Sequence, residues 1–150
     1  MKYQHIYSHL GIAHISMSLD FRGSFPPGKV MVGMPLYNEE ETVGTMVHLA
    51  KKYTEIVVCL DDGSSDNSGR IAKKCGAEVH SHRVNRGYGG ALKSLFSIAK
   101  EKDVDILVVM DSDGQHNPDD IPKLVQPIDD GDADMVIGSR FVSKEGETKM

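Results

Sequence analysis

Two aspartates one residue apart, Asp111 and Asp113, follow the strongest apolar run of the chain, residues 104–110. In extended backbone, residues i and i+2 project to the same side. Both carboxylates can then address one point, and Gln115 adds a third oxygen. Hard oxygen donors suit Mg2+ or Mn2+, and such sites commonly leave coordination positions for water and substrate phosphates. The competing reading is that the pair caps the following helix. A second acidic pair, Asp61-Asp62, closes the run 56–60 ahead of Gly63-Ser64-Ser65-Asp66. Asp66 is placed to cap the next helix, which does not account for the adjacent carboxylates. One of them can accept hydrogen bonds from a base or ribose edge. Arg86, within Asn85-Arg86-Gly87 at the start of a long predicted helix, and Arg140, after the last predicted strand, suit a phosphate. Each reads equally as a solvated surface charge. Tyr37 can stack on a base or pack its own loop. His116 is expected beside the ligands or facing solvent, not among them.

These side chains need a scaffold, and the chain from Lys29 onward supplies one. Residues 29–34 read as a buried strand ended by Pro35. Asn38 is expected to cap a helix with Glu39, Glu40 and Glu41 in its first turn, where the dipole favours acids. Val43, Met46, Val47 and Ala50 recur at helical spacing. Strand 56–60 follows, then a helix from Asp66 to Lys74 stopped by Gly76, then a weaker strand over 77–82. Residues 89–102 carry Ala91, Leu92, Leu95, Ile98 and Ala99 on one helical stripe. After strand 104–110, Asn117-Pro118 starts a helix that Pro122 and Pro127 keep short or bent, and 133–138 is the last strand. Apolar strands alternating with helices predict βαβ units and a mostly parallel, Rossmann-like sheet flanked by helices. Ligands bind such sheets outside the carboxyl ends of the strands. The polar residues above fall in the loops after positions 34, 60, 110 and 138.

Residues 1–28 hold His5, His9 and His14 and end in Gly23-Ser24-Phe25-Pro26-Pro27-Gly28. They lack a transit- or signal-peptide profile and read as a flexible or loosely packed arm. His5 and His9 stand at i, i+4 but have no third ligand close in sequence. Residues 29–141 read as one domain, and 142–150 as a polar tail.

The whole chain has 150 residues, enough for one domain, and a net charge of −5. That balance argues against a general nucleic-acid binder. No stretch approaches the roughly 18 apolar residues of a membrane span. Two cysteines, Cys59 and Cys75, are too few for a disulfide scaffold, so a reducing compartment is expected. Eleven of the 22 acids lie between Glu101 and Asp134, opposed there only by Lys102 and Lys123. That window is either a solvated face or a cation site. Three motifs fail. Gly23–Lys29 has the GxxxxGK spacing, but Val30 replaces the magnesium-binding hydroxyl and no strand precedes it. Gly87-Tyr88-Gly89-Gly90 lacks the third dinucleotide glycine, where Leu92 stands. As an EF-hand loop, Asp111–His116 would need glycine at His116 and glutamate at Pro122. A phosphoacceptor signalling domain would need a lysine where Ser139-Arg140 stands.

Taken together, the surviving motifs resemble those of the family 2 glycosyltransferases. Pro35-Leu36-Tyr37-Asn38-Glu39-Glu40 is similar to the family's P-x-Y-N-E-E opening, and Asp61–Asp66 to its DDGSSD turn. Asn85-Arg86-Gly87 is similar to its N-x-G, Asp111-Ser112-Asp113-Gly114-Gln115-His116 to its D-x-D-G-Q-H, and Gly138-Ser139-Arg140 to its G-S-R. Order and spacing agree from about Lys29 to Phe141. The Gln-His tail and the Gly-Ser-Arg triplet resemble most the polyprenyl- or dolichyl-phosphate mannosyl- and glucosyltransferase branch.

The resemblance implies a GT-A nucleotide-diphospho-sugar transferase fold, a UDP- or GDP-sugar donor, Mg2+ or Mn2+, and inverting transfer, with a polyprenyl phosphate as one acceptor. Pro35, Tyr37, Glu39, Asp62, Arg86 and Asp111 would contact the donor. Asp111, Asp113 and Gln115 would be the metal ligands, and Asp113 and Arg140 the catalytic pair at the diphosphate. The implied location is cytoplasmic, at the membrane face for a lipid-linked acceptor. Transfer to a sugar hydroxyl would need a later carboxylate base, and Glu145 and Glu147 lack the family's context for one. A phosphate acceptor needs no base, being already an anion near neutral pH. The alternative is that these residues are the donor-binding part of a longer enzyme, or a non-catalytic module acting with another chain.

Overall fold

The protein's structure, a computed structural model, describes residues 14–18 and 29–139. Its elements are β1 (His14–Ser18), β2 (Val30–Leu36), α1 (Val43–Ala50), β3 (Ile56–Asp61), α2 (Ser68–Lys74), β4 (Glu78–Ser81), α3 (Gly87–Glu101), β5 (Ile106–Val109), a 3-10 turn (Pro118–Asp120), α4 (Ile121–Asp129) and β6 (Met135–Gly138). They build one six-stranded sheet in the order β4-β3-β2-β5-β1-β6. The four strands β4, β3, β2 and β5 run parallel, joined by helical crossovers, as continuous apolar runs require.

Alternation along β2 divides the core. Val30, Val32, Met34 and Leu36 pack with Val43, Met46 and Val47 of α1 and with Ile121, Val125 and Ile128 of α4. Met31 points the other way, into a cluster with Val58, Leu60, Leu107, and Ala91, Leu95 and Ile98 of α3. Gly33 lies on the α3 side, where a Cβ would come within 3.1 Å of Leu95. Glycine there lets α3 seat closely on the sheet. Cys59 is buried in the first cluster, and that burial pushes its thiol up to about 12, so it behaves as a small hydrophobe. Among the described residues no helix is long and apolar enough to cross a membrane.

Three expectations need correction. The first concerns the arm expected over residues 1–28. It contains β1, whose backbone pairs antiparallel with β5 on one side and β6 on the other, Ile15 facing Val109 and Ile137. The local sequence Ile15-Ser16-Met17-Ser18 alternates with the period of a strand, a signal overshadowed by the flanking histidines and the Pro-Pro-Gly run. The second concerns Pro35, which does not end β2. It stays in register with Leu60 of β3, and the strand continues to Leu36. Gly33 faces β5 through its carbonyl, which accepts from Met110. Pro35, two residues on, faces the same side beyond the last residue of β5, so its missing N–H leaves no ladder bond broken. The third concerns Asn38, which does not cap α1. It adopts φ +56°, and α1 begins five residues later, with the Glu39 carbonyl accepting from Thr42 and Val43.

Candidate functional site

The loops at the carboxyl ends of β2, β3 and β5 close around one cleft of about 340 Å³. Pro35, Tyr37 and Glu39 line it from the first loop, Asp62 from the second, and Asp111, Ser112 and Asp113 from the third. Asn85, Gly87 and Tyr88 enter from the start of α3.

The loops hold one another. Left-handed Asn38 turns its side chain onto the β3–α2 loop, where its Oδ1 accepts from the Ser65 amide at 2.8 Å. In return the amides of Asn38 and Glu39 donate to Ser64 Oγ at 3.0 Å and Ser68 Oγ at 2.7 Å. Asp66 accepts from the Ser68 amide at 2.9 Å and the Glu40 amide at 3.2 Å. Asp66 is thus not the cap residue expected, since Asn67 holds that position and α2 starts at Ser68; from one residue before the cap it binds the first amide of α2 and ties it to the first loop. Gly63 has φ +80°, and a Cβ there would lie 3.1 Å from the Asn85 amide. The turn needs glycine on both counts. On the far side, Ser112 Oγ donates to the Pro35 carbonyl at 2.9 Å, and Thr42 Oγ1 donates to the Ser112 carbonyl at 2.7 Å.

The acids of the cleft are not equivalent. Asp62 is buried, 4% exposed, and accepts from His82 at 2.6 Å and from the Arg86 amide at 2.9 Å. Burial alone would push this carboxyl up. The bonds from His82 and from the Arg86 and Gly87 amides outweigh it and hold the group below its ordinary value. Asp111 shifts the other way. Burial raises it most, and Asp113 adds repulsion; His116 and a hydrogen bond with Tyr88 give partial relief. Glu39 is likewise raised, by burial and then by Asp113, with Asp66 and Asp111 adding to it. Tyr88 is pushed up by burial and by Asp111. Burial first, and then repulsion from Asp113, thus raises both Glu39 and Asp111, and the protein's own groups only partly offset this at Asp111. Among the described residues no three His, Cys, Asp or Glu side chains form a ready-made metal cage. Two carboxylates completed by phosphates and water are the usual pattern for Mg2+.

The sequence of residues 31–150 matches the family model described as glycosyl transferase family 2. The chain belongs to that family. It is 34% identical over 126 residues to a UDP-N-acetylglucosamine–dolichyl-phosphate N-acetylglucosaminyltransferase of Methanococcus voltae, covering 72% of this chain and 50% of that protein. It is 36% identical over 126 residues to a polyprenol monophosphomannose synthase of Mycolicibacterium smegmatis, covering 78% and 47%. Among solved structures, glucosyl-3-phosphoglycerate synthase of Mycobacterium tuberculosis, in complex with Mn2+, UDP and glucosyl-3-phosphoglycerate, superposes with a TM-score of 0.58 at 30% identity, over 68% of this chain and 40% of that one. The chain thus spans about half the length of the curated relatives it matches. The fold is the GT-A fold of family 2 glycosyltransferases.

Around this cleft the sequence-predicted residues separate. Pro35, Tyr37, Glu39, Asp62, Asp111 and Asp113 share the cleft. Gln115 instead lines a neighbouring cleft with Glu41, Thr42 and His116, while its backbone amide donates to Asp113 Oδ1 at 2.8 Å. Arg86 serves through its backbone amide, and its side chain is exposed outside the cleft lining. Arg140 lies outside the described residues. His116 is buried, 4% exposed, and its Nδ1 accepts from the Asp111 amide at 2.9 Å, which fixes the turn without facing solvent. Sequence reasoning missed Tyr88 and His82. Tyr88 sits in the failed Gly-Tyr-Gly-Gly fingerprint, and its signal was its place directly after Asn85-Arg86-Gly87 at a helix start. His82 carries no motif at all.

Proposed function

We propose that the cleft binds a UDP- or GDP-linked sugar together with Mg2+ or Mn2+, and that the sugar passes with inversion to a polyprenyl phosphate. The observation that carries this reading is the crowding of Glu39, Asp111 and Asp113, which leaves carboxyls raised by burial and repulsion on the wall of one cleft. A diphosphate cannot enter such a cleft without a cation. Asp111 and Asp113 would hold that cation, and the position of Gln115 does not favour it as a third ligand. When bound, the cation would offset the charge that grows on the diphosphate as the glycosidic bond breaks.

This chain's own groups do the rest. Asp62 would accept an N–H or O–H of the nucleoside, with Pro35 and Tyr37 as the wall for the base. Tyr88 would restrain Asp111 through their hydrogen bond. Arg140 is proposed to meet the diphosphate or the acceptor phosphate. A phosphate acceptor needs no general base. The names of two relatives, one including dolichyl phosphate and the other polyprenol monophosphomannose, support this acceptor class. The crystallised neighbour with Mn2+ and UDP supports the metal and donor class.

The test is sugar transfer from UDP- and GDP-sugars to a polyprenyl phosphate with Mn2+. Transfer supports the full reading. Nucleotide binding without transfer would leave a donor-binding module, and absence of nucleotide binding would overturn the reading altogether.

A further inference from the structure

We propose that His82 is a positioning residue for nucleotide binding: clamped between Asp62 and Ser94, it fixes which oxygen of Asp62 faces the cleft. The inference rests on the reading of that cleft as a nucleotide site. His82 Nδ1 lies 2.6 Å from Asp62 Oδ1, and its Nε2 lies 2.8 Å from Ser94 Oγ. The His82 and Asp62 side chains are 9% and 5% exposed. The His82 amide also donates to the Asp61 carbonyl at 2.9 Å, one step past the last paired residues of β3 and β4. The three side chains therefore tie the end of β3 and the end of β4, already paired in the sheet, to the body of α3.

The proton positions follow from the partners. An ionised carboxylate only accepts, so Nδ1 carries the proton and donates to Asp62. Nε2, on the other side of the ring, is within hydrogen-bond distance of the Ser94 hydroxyl. The Arg86 amide is shared between the two Asp62 oxygens, at 2.9 Å from Oδ1 and 3.0 Å from Oδ2. Oδ1 thus takes a full donor from His82 plus a share of Arg86, whereas Oδ2 takes the other share, and the Gly87 amide adds a further donor to the carboxylate. Lone-pair capacity remains on Oδ2, the oxygen left to receive a nucleoside N–H or O–H. Without His82 the carboxylate loses the donor that fixes its rotation about Cβ–Cγ and stays a buried charge short of a partner.

Two amide substitutions separate positioning from mere packing. In H82N the side-chain nitrogen occupies the covalent place of Nδ1 and keeps a donor for Asp62. In H82Q it occupies the place of Nε2 and keeps the contact with Ser94 only. Calorimetric titration with UDP and GDP in Mn2+ should show H82Q weakened about tenfold or more, and H82N within about threefold of wild type. Ser94→Ala, which retains the ring, should weaken binding less than H82Q. A carbon-13 titration of the Asp62 carboxyl, which needs no nucleotide, should move upward in H82Q and not in H82N. Equal affinity losses in H82N and H82Q, or wild-type affinity in folded H82Q, would overturn the proposal. An Asp62 carboxyl that titrates unchanged in H82Q would show that the clamp itself is absent. A wild-type chain that binds neither nucleotide would remove the nucleotide reading, and the positioning role with it, while leaving that carbon-13 result to report on the clamp alone.

Discussion

Asp62 and Asp111 leave the two strands that flank β2, at the same end of the sheet and in the same cleft, yet their surroundings drive them in opposite directions. Asp62 is met by a histidine and backbone amides, and it is held below its ordinary value despite its burial. Asp111 is met by burial and by Asp113, and it is held above, with Tyr88 and His116 only partly offsetting. One corner of the cleft holds its carboxylate with the protein's own donors; the other leaves its carboxylate only partly compensated. Under the proposed function, the first corner would orient the base edge and the second would supply negative charge for the cation of a metal–diphosphate.

The contrast can be broken from either side. The largest effect is expected for Asp113→Ala, which should cost more than about 100-fold in Mn2+-dependent affinity for a nucleoside diphosphate and leave the melting temperature nearly unchanged. Unaltered Mn2+-dependent affinity would sink the metal assignment. At the other corner, Asp62→Ala leaves the His82 Nδ1 proton and the Arg86 amide without their acceptor. Chemical denaturation should show a loss of about 2–4 kcal/mol. Ser112→Ala removes the bond to the Pro35 carbonyl that ties the acidic turn to β2, and should cost about 1 kcal/mol.

The smallest effect, and the sharpest in sign, is the pH dependence in metal-free solution. Because the Asp62 carboxyl is depressed in the folded chain, its stabilisation is present above its ordinary value of 3.8 and is lost as pH falls through the folded value. The Asp111 carboxyl is raised, so its destabilisation is present at neutral pH and is relieved as pH falls through the raised value toward 3.8. Asp111→Asn should therefore be slightly more stable than wild type at pH 7, with the difference vanishing in acid. Asp62→Asn should be less stable at pH 7, with its difference also closing in acid. Denaturation curves at several pH values would show whether the two differences have opposite sign.

The parallel part of the fold was legible because each strand is a continuous apolar run and each helix a stripe, as in 30–34, 56–60 and 104–110. The site was legible to the extent that its residues sit at strand ends, as Asp62, Asp111 and Asp113 do. What was not legible depends on contacts between loops distant in sequence. Asn38 looks like a helix cap until Ser64 and Ser65 are seen to claim it from 26 and 27 residues away. Gln115 looks like a ligand by spacing, but the left-handed turn at Gly114, φ +83°, separates its path from that of Asp113. His82 has no motif, and only the pairing of β3 with β4 brings it to Asp62. β1 escaped because five alternating residues carry little signal, and its partners in β5 and β6 lie about 90 and 120 residues further on.

The most direct test of a cleft whose acidic corner is completed by a cation is calorimetric titration of the wild-type chain with UDP and GDP, with and without Mn2+. Binding at least about tenfold tighter with Mn2+ for one of the two nucleotides is the predicted result. Equal affinity with and without the metal would contradict it.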